Sequence, residues 1–145
     1  MTTFIYCTRA DVEAVWNPAA ILQAVDDDLS GVLTSSKEQT IQRAIERAAN
    51  RMNAYLEQRY RLDQLAGNAW CRDANAQIAA YLLSIRRAAV GPVALSEQFA
   101  GLMIDLLEIA AGRLKVPELA DRLEDLPSVS TFTDNQATMR PRRRS

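Results

Sequence analysis

Apolar residues recur at intervals of three and four along three stretches of the chain, which is the spacing of one buried face of an α-helix. We predict long helices from about residue 36 to Arg59, over Ala69–Ala89 and over Ser96–Ala111. The short stretch Val129–Thr133 alternates with a period of two. The positions expected to face the core are Ile41, Ala44, Ile45, Ala48, Met52, Tyr55 and Leu56 in the first helix, Ala74, Ile78, Tyr81, Leu82, Ile85 and Ala89 in the second, and Phe99, Leu102, Met103, Leu106, Leu107 and Ala110 in the third.

Two short helices are predicted before the long ones, because their N-terminal signals are local. Thr8 with Asp11 resembles a capping box, and it opens a helix that ends near Trp16. Asn17 followed by Pro18 places a capping side chain before a proline at the first helical position, which predicts a helix to about Val25.

Capping residues also suggest where the long helices begin and end. Ser36 with Gln39, or Ser35 with Glu38, forms a capping box for the first of them. Gly112 follows the third and is expected in the left-handed conformation that often ends a helix. Further breaks are expected at Gly67, in the connector of residues 60–68, and at Gly91-Pro92.

The character of the chain changes after Pro117. Residues 117–126 are read as a short helix or linker, and residues 127–145 as an extended basic arm without a core of its own. The predicted fold class is therefore all-α. It is a small bundle of three longer helices plus short N-terminal helices, with residues 1–116 as the body and an extended C-terminal arm.

Charge is unevenly distributed, although the net charge is only −1. Four of the 17 cations are the arginines of the last six residues, and without them 13 cations remain against 18 anions. This split predicts an acidic body with a basic tail, and it argues against a DNA-coating surface on the body.

No catalytic constellation is recognisable. Histidine is absent, and the two cysteines, Cys7 and Cys71, lie far apart without metal-ligand spacing, so reduced thiols are expected. We find no nucleophile motif and no phosphate-binding loop, and no apolar run is long enough to span a bilayer. We therefore expect a soluble protein made in the cytoplasm, without enzymatic activity, cofactor or metal.

The sharpest local motif is residues 26–31, Asp-Asp-Asp-Leu-Ser-Gly, which match the opening of a calcium loop. Such a loop needs a bidentate carboxylate at position twelve. That position is occupied by Lys37, and Glu38 comes one residue too late. We therefore interpret the motif as an acidic turn between helices.

Arg43, Arg47 and Arg51 follow one another at four-residue spacing and form a basic stripe on the first long helix. The stripe either faces DNA or an acidic surface on another subunit, or it is a solvated face with intrahelical partners such as Glu46, which the pattern favours.

The C-terminal arm is the other candidate contact region. Apolar and basic side chains occur together there, which suits docking on a protein, whereas four arginines without interleaved aromatics are not specific for nucleic acid. The predicted partner-binding residues are Val129, Phe132, Met139, Arg140, Arg142, Arg143 and Arg144.

The order of these elements resembles a known family. The segments that carry the resemblance are Tyr-Leu-Glu-Gln-Arg-Tyr-Arg-Leu at residues 55–62, Ala-Ala-Tyr-Leu-Leu at 79–83 and Leu-Glu-Ile-Ala-Ala-Gly-Arg-Leu at 107–114. They are similar to the Mu-like prophage family of small helical proteins, which belongs with the head–tail connector, or adaptor, proteins of long-tailed phages. The resemblance covers roughly residues 8–116.

This resemblance implies a structural subunit of the virion at the head–tail interface. Its copies would form a homo-oligomeric ring, commonly of twelve, that docks beneath the portal protein and contacts the next neck or tail-terminator protein. Double-stranded DNA would pass through the lumen without sequence-specific binding, and no membrane would be involved. The alternative from another class is a small helical DNA-binding or regulatory protein that uses the arginine-rich tail.

Overall fold

In the computed structural model, residues 4–86 and 92–117 are described, and they are helical with no strand among them. This confirms the predicted all-α class. The chain divides into two compact units, Met1–Leu114 and Lys115–Ser145, and the helices belong to the first. They are α1 (Arg9–Val15), α2 (Pro18–Val25), α3 (Ser35–Leu56), a 3₁₀ helix (Leu62–Leu65), α4 (Ala69–Ser84) and α5 (Val93–Ala110).

The two N-terminal helices begin where the sequence predicts. The backbone N–H of Thr8 donates to the Asp11 carboxylate at 2.8 Å, which is half of the expected capping box. Before α2, the side-chain oxygen of Asn17 accepts from the N–H of Ala19 at 2.7 Å, and Pro18 is the first helical residue. Both predicted helix starts are confirmed. They could be predicted from the sequence because each cap depends only on neighbouring residues.

The predicted start of α3 is wrong by one or two residues. The cap is Thr34, whose hydroxyl accepts from the N–H of Lys37 at 3.3 Å, and neither Ser35 nor Ser36 plays that role. Thr34, Ser35 and Ser36 are three consecutive hydroxyl residues with similar capping preference, and only Thr34 has the extended backbone of a cap. The third long helix also starts early, at Val93 and not at Ser96, with Pro92 as its N-cap residue.

Arg59 follows the C-terminal end of α3 and contacts the C-terminal end of α5. The helix ends at Leu56, short of the predicted Arg59, and Arg59 donates from Nε to the carbonyl of Ala110 at 3.1 Å. A cation therefore lies at the C-terminal end of α5, where the helix dipole favours it. Gly112 has a φ of +82°, as predicted, and a Cβ there would lie 2.7 Å from the Arg59 guanidinium.

Helix α4 occupies the centre of the body and packs against α1, α2, α3 and α5. The predicted inward face is only partly right, because Tyr81 and Leu82 are half-buried and Ile85 is exposed. Burial extends around most of the helix, and its small side chains allow close approach of the neighbours. The buried residues are Cys71, Ala74, Asn75, Ala76, Ile78, Ala79, Ala80, Leu83 and Ser84.

The inward face of α3 is as predicted except that Tyr55 is half-buried and that Ala49 and Asn53 are buried as well. On α5 the prediction is only partly right, because Phe99, Met103 and Ala110 are half-buried and Leu107 is exposed. Leu106 is fully buried whereas Leu107 is 54% exposed. Adjacent residues of a helix point about 100° apart, and α5 turns Leu106 towards the body and Leu107 towards the surface. The buried residues of α5 are Leu95, Leu102, Leu106 and Ile109.

The N-terminal segment before α1 is held on the bundle by two asparagines. Asn75 accepts from the N–H of Tyr6 at 2.9 Å through Oδ1 and donates to the carbonyl of Ile45 at 3.1 Å through Nδ2. Asn53 accepts from the Tyr6 hydroxyl at 2.6 Å and donates to the carbonyl of Phe4 at 3.1 Å. Burial raises the pKa of the Tyr6 hydroxyl above its usual range, so it remains a donor. These bonds satisfy backbone groups of a segment outside any helix.

Several predictions lie outside the described residues: the short helix at 118–126, the arm 127–145, the alternation at Val129–Thr133, Ala89 and Gly91.

The body carries less negative charge than the sequence predicts. Met1–Leu114 contains 11 cations and 13 anions, a net of −2, so the predicted acidic body is nearly balanced. The anion surplus lies instead between residues 115 and 139, where two cations stand against five anions.

Candidate association surface

The three arginines Arg43, Arg47 and Arg51, which we call the α3 arginine row, are exposed on the outer side of α3. None of them forms an ion pair with an acidic side chain in the part of the chain that the structure describes, and Glu46 between them is likewise unpaired there. Most other described arginines do pair, for example Arg113 with Glu108 at 2.8 Å. The intrahelical partner that the sequence favoured is therefore not formed.

Helix α5 reaches the arginine row through an aromatic stack. The guanidinium carbon of Arg51 lies 5.7 Å from the centroid of the Phe99 ring, within the range of a cation–π contact. Phe99 in turn stacks on Tyr81 of α4, with centroids 4.2 Å apart and planes inclined by 13°. This contact orients Arg51 without neutralising its charge.

A shallow cavity of about 360 Å³ lies beside this stack and is lined by Arg47, Asn50, Arg51 and Leu82. Two guanidinium groups and an amide line this depression. Such groups are N–H donors, and arginine binds carboxylates through paired N–H groups. The cavity thus suits an Asp or Glu side chain from another protein.

Three large apolar residues lie on the exposed side of α5, together with the exposed Glu97. Val93, Ile104 and Leu107, which we call the α5 apolar face, are exposed by 68%, 61% and 54%. Positions 93 and 104 are three turns apart and 107 is one turn further, so the three share one side of the helix. Large apolar side chains grouped on one side of a surface helix are typical of a contact with another protein.

The loop between α2 and α3 contains a buried ion cluster. The Lys37 side chain is only 7% exposed, and its ammonium lies 2.6 Å from Asp26 Oδ1 and 2.9 Å from Asp28 Oδ1. It also donates to the Ser30 hydroxyl and to the carbonyl of Val32, each at 2.7 Å. Gly31, with a φ of +73°, turns the chain so that its N–H donates to Asp26 Oδ2 at 2.9 Å. The acidic turn read from the sequence is therefore organised around a lysine.

The cluster shifts the protonation of its members. Hydrogen bonds from the Lys37 ammonium hold the pKa of the Asp26 and Asp28 carboxyl groups below their usual range, and Asp26 raises the pKa of Lys37. A carboxyl whose pKa is lower in the folded protein stabilises the fold above its unfolded pKa of about 4, and this contribution is lost as the pH falls through the folded value. The cluster should therefore stabilise the protein at neutral pH and fail in acid.

We predict that Lys37→Met destabilises the protein at pH 7, by a decrease in Tm of about 10 °C, because it leaves Asp26 and Asp28 without their counter-ion. The difference in the free energy of unfolding between wild type and variant should narrow as the pH falls from about 4 towards 2. Urea unfolding of both proteins across this pH range measures that difference. The Glu108–Arg113 pair titrates in both proteins and cancels in the difference, so a gap that stays constant down to pH 2 would contradict the assignment.

Both cysteines are unsuited to chemistry at neutral pH. Burial raises the pKa of the Cys7 thiol to about 12, helped by the charge of Asp11, and burial alone raises that of Cys71 to about 12. Both are free and buried. In residues 4–86 and 92–117, no group of three Cys, Asp or Glu side chains is arranged to hold a metal ion, and no helix is long and apolar enough to cross a membrane.

The sequence marked two candidate contact regions, and the structure describes one of them. It places the α3 arginine row on the surface of the body, whereas the arm residues Val129 to Arg144 lie outside the described residues. Sequence reasoning missed the α5 apolar face, although the adjacent pair Leu106-Leu107 and the isolated Val93 and Ile104 were a signal for it. It also missed the role of Lys37. This residue argued against a calcium loop, yet its ammonium pairs with Asp26 and Asp28 and organises the same loop.

Comparison with known proteins gives one clear relationship. No curated protein and no solved structure matches the chain. The model of the family described as Bacteriophage Mu, Gp36 matches residues 6–131, which include the body with α1–α5 and continue beyond it. Since the match covers most of the chain, this is a phage protein that belongs to the bacteriophage Mu Gp36 family.

Proposed function

We propose that this phage protein is a structural, non-enzymatic head–tail connector subunit of the virion. Its copies form a ring under the portal protein, and the ring continues the DNA channel and contacts the next neck or tail component. Twelve copies are the number that the family resemblance suggests. The family match supports the phage setting of this proposal.

The observation that carries the proposal is the pairing of two uncovered surfaces on one body. The α5 apolar face offers large exposed side chains, and the α3 arginine row offers cations without acidic partners among the described residues. The contact of Arg51 with Phe99 connects the two helices. A ring subunit needs such self-complementary or neighbour-complementary patches, because apolar burial supplies affinity and charge pairing supplies register.

The proposal is tested by assembly with the portal of the same phage. We expect the full chain to add a second ring to isolated portal rings, visible by electron microscopy and as added mass in light scattering. Arg47→Glu combined with Arg51→Glu should reduce ring formation at least tenfold, since it places like charges against the acidic groups of the neighbouring subunit. The matched control is Arg61→Glu with Arg72→Glu, which makes the same charge change at exposed arginines that already pair with Asp63 and Asp73. Equal assembly of both double variants would refute a role for the α3 arginine row.

The arm is tested in the same assay by deleting residues 127–145. We expect the body to remain folded, as judged by circular dichroism, because α1–α5 all lie before residue 127. Binding to the portal should weaken while self-association is kept. Undiminished binding to the portal would rule the arm out as the docking element.

The alternative, a small DNA-binding or regulatory protein, predicts a different result. Arginines 43, 47 and 51 and the four arginines of the arm would then contact phosphates, and affinity for duplex DNA would fall steeply with salt, by about one power of concentration per phosphate contact. A connector should show weak binding with a shallow salt dependence and should join portal rings. DNA titrations at 50, 100 and 200 mM salt separate the two functions.

A further inference from the structure

The loop from Asp26 to Lys37 has the length and the oxygen positions of a calcium loop. It contains twelve residues between two helices, with Asp26, Asp28 and Ser30 at positions one, three and five and Gly31 at position six. In a calcium loop the seventh position contributes its backbone carbonyl. That position is Val32, and its carbonyl points inward with the other oxygens.

All four of these oxygens converge on one atom, the Nζ of Lys37. The distances are 2.6 Å from Asp26, 2.9 Å from Asp28, 2.7 Å from Ser30 and 2.7 Å from Val32. The ammonium donates its three N–H bonds to Asp26, Ser30 and Val32, and its charge also pairs with Asp28. One cation thus gathers the oxygens of all four ligand positions, as a bound metal ion would.

Lys37 comes from the twelfth position, where a calcium loop has its bidentate carboxylate. It lies in the first turn of α3, and its nearly buried side chain reaches back into the loop. One residue therefore removes the ligand that calcium requires and supplies a positive charge in the place of the ion. The length of the loop, the order of its oxygen ligands and the positive charge at their centre all agree with a lysine ammonium in the place of the ion.

We infer that Lys37 is a tethered substitute for a divalent ion, and that this helix–loop–helix is a calcium loop closed permanently by its own side chain. The bound cation is covalently part of the chain, so the packing of α2 against α3 is independent of calcium in the surroundings. The corollary is that the coordination site is latent: it requires only a carboxylate at position 37 to accept a divalent cation with oxygen preference.

The experiment introduces that carboxylate in the full chain as Lys37→Glu. We expect calcium binding by isothermal titration calorimetry with a Kd of about 10⁻⁴–10⁻³ M, the range of calcium modules with weak sites. We also expect an increase in Tm of about 5 °C or more in 10 mM calcium. The wild type should give no binding heat, and neither calcium nor EDTA should move its Tm. Adding Asp26→Asn to Lys37→Glu should weaken calcium binding more than tenfold.

The control is Lys115→Glu, because Lys115 is the other lysine of the chain and is exposed, so its replacement makes the same charge change at a residue outside the loop. A second variant, Lys37→Met, removes the ammonium without adding a ligand and should be stabilised by calcium more than the wild type is.

The inference is overturned if Lys37→Glu is folded yet gives neither calcium heat nor a Tm shift, or if it stays unfolded in 10 mM calcium. It is overturned equally if Lys115→Glu shows the same calcium response, or if the wild type binds calcium as tightly as Lys37→Glu. These outcomes are independent of ring assembly and of the proposed connector function.

Discussion

Replacing Asn75 with alanine should lower the free energy of unfolding by about 2–3 kcal/mol, a large effect for the loss of one polar side chain. Asn75 is completely buried on α4. Its side-chain amide accepts a hydrogen bond from the N–H of Tyr6 and donates one to the carbonyl of Ile45. Alanine would leave a donor of the N-terminal segment without its partner in a place that water reaches poorly. The cost of such an unsatisfied group exceeds the net value of an ordinary hydrogen bond.

The same substitution should release the N-terminal segment, and Cys7 reports on that release. In the wild type both thiols are buried and their pKa values are raised to about 12, so a thiol reagent at pH 7 should react with neither. In Asn75→Ala, Cys7 should become reactive while Cys71, fully buried in α4, stays protected until global unfolding. Adding Cys7→Ser identifies the reactive thiol, because it should abolish the fast reaction.

The matched control is Asn50→Ala, which removes an asparagine from an exposed position of α3. Its effect on stability should remain within about 0.5 kcal/mol, as for most surface substitutions. If Asn75→Ala is as mild as Asn50→Ala in urea unfolding, or if Cys7 stays protected in it, the segment is held by something other than the Asn75 amide.

Sequence reasoning succeeded where the decisive contacts are local. Thr8 with Asp11 and Asn17 with Pro18 set the starts of α1 and α2 through atoms two or three residues away, and both starts were predicted. It failed where equivalent residues compete. At α3 the capping residue was misassigned because three neighbouring hydroxyl side chains have similar preferences, and only the backbone path into the loop selects Thr34.

Tertiary contacts explain the remaining differences. A face of α4 was predicted, but a central helix that packs against four others is buried nearly all round, which the small side chains Ala76, Ala79 and Ala80 allow. The 3₁₀ helix Leu62–Leu65 was missed, since one short turn has no periodicity to detect.

The candidate surfaces were predictable to different degrees. The α3 arginine row follows from helical spacing alone, and its exposure agrees with that spacing. That its arginines lack acidic partners among the described residues depends on which acids the folded chain brings near, and no spacing rule gives that. Lys37 shows a different limit, because matching residues to a motif counts a lysine at a ligand position as a failure. Chemically, its ammonium can take the place of the ion itself.

The neighbours Leu106 and Leu107 separate stability from assembly in one experiment. Leu106→Ala should destabilise the body by about 3–5 kcal/mol, since it empties a fully buried site that close packing keeps from collapsing. Leu107→Ala removes the same atoms one residue later from a side chain that is 54% exposed, so its effect on unfolding should be about 0.5 kcal/mol or less. Urea unfolding of the two variants measures both values.

Assembly should respond in the opposite way. If the α5 apolar face is buried between subunits, Leu107→Ala should weaken ring formation about tenfold or more while the subunit remains as stable as the wild type, because the side chain loses its burial only in the ring. Sedimentation across a concentration series gives the association constant, and Ile104→Ala provides an independent replacement on the same face. Were both variants to assemble as well as the wild type, the exposed side of α5 would face solvent in the ring, and the contact between subunits would have to be sought on the α3 arginine row alone.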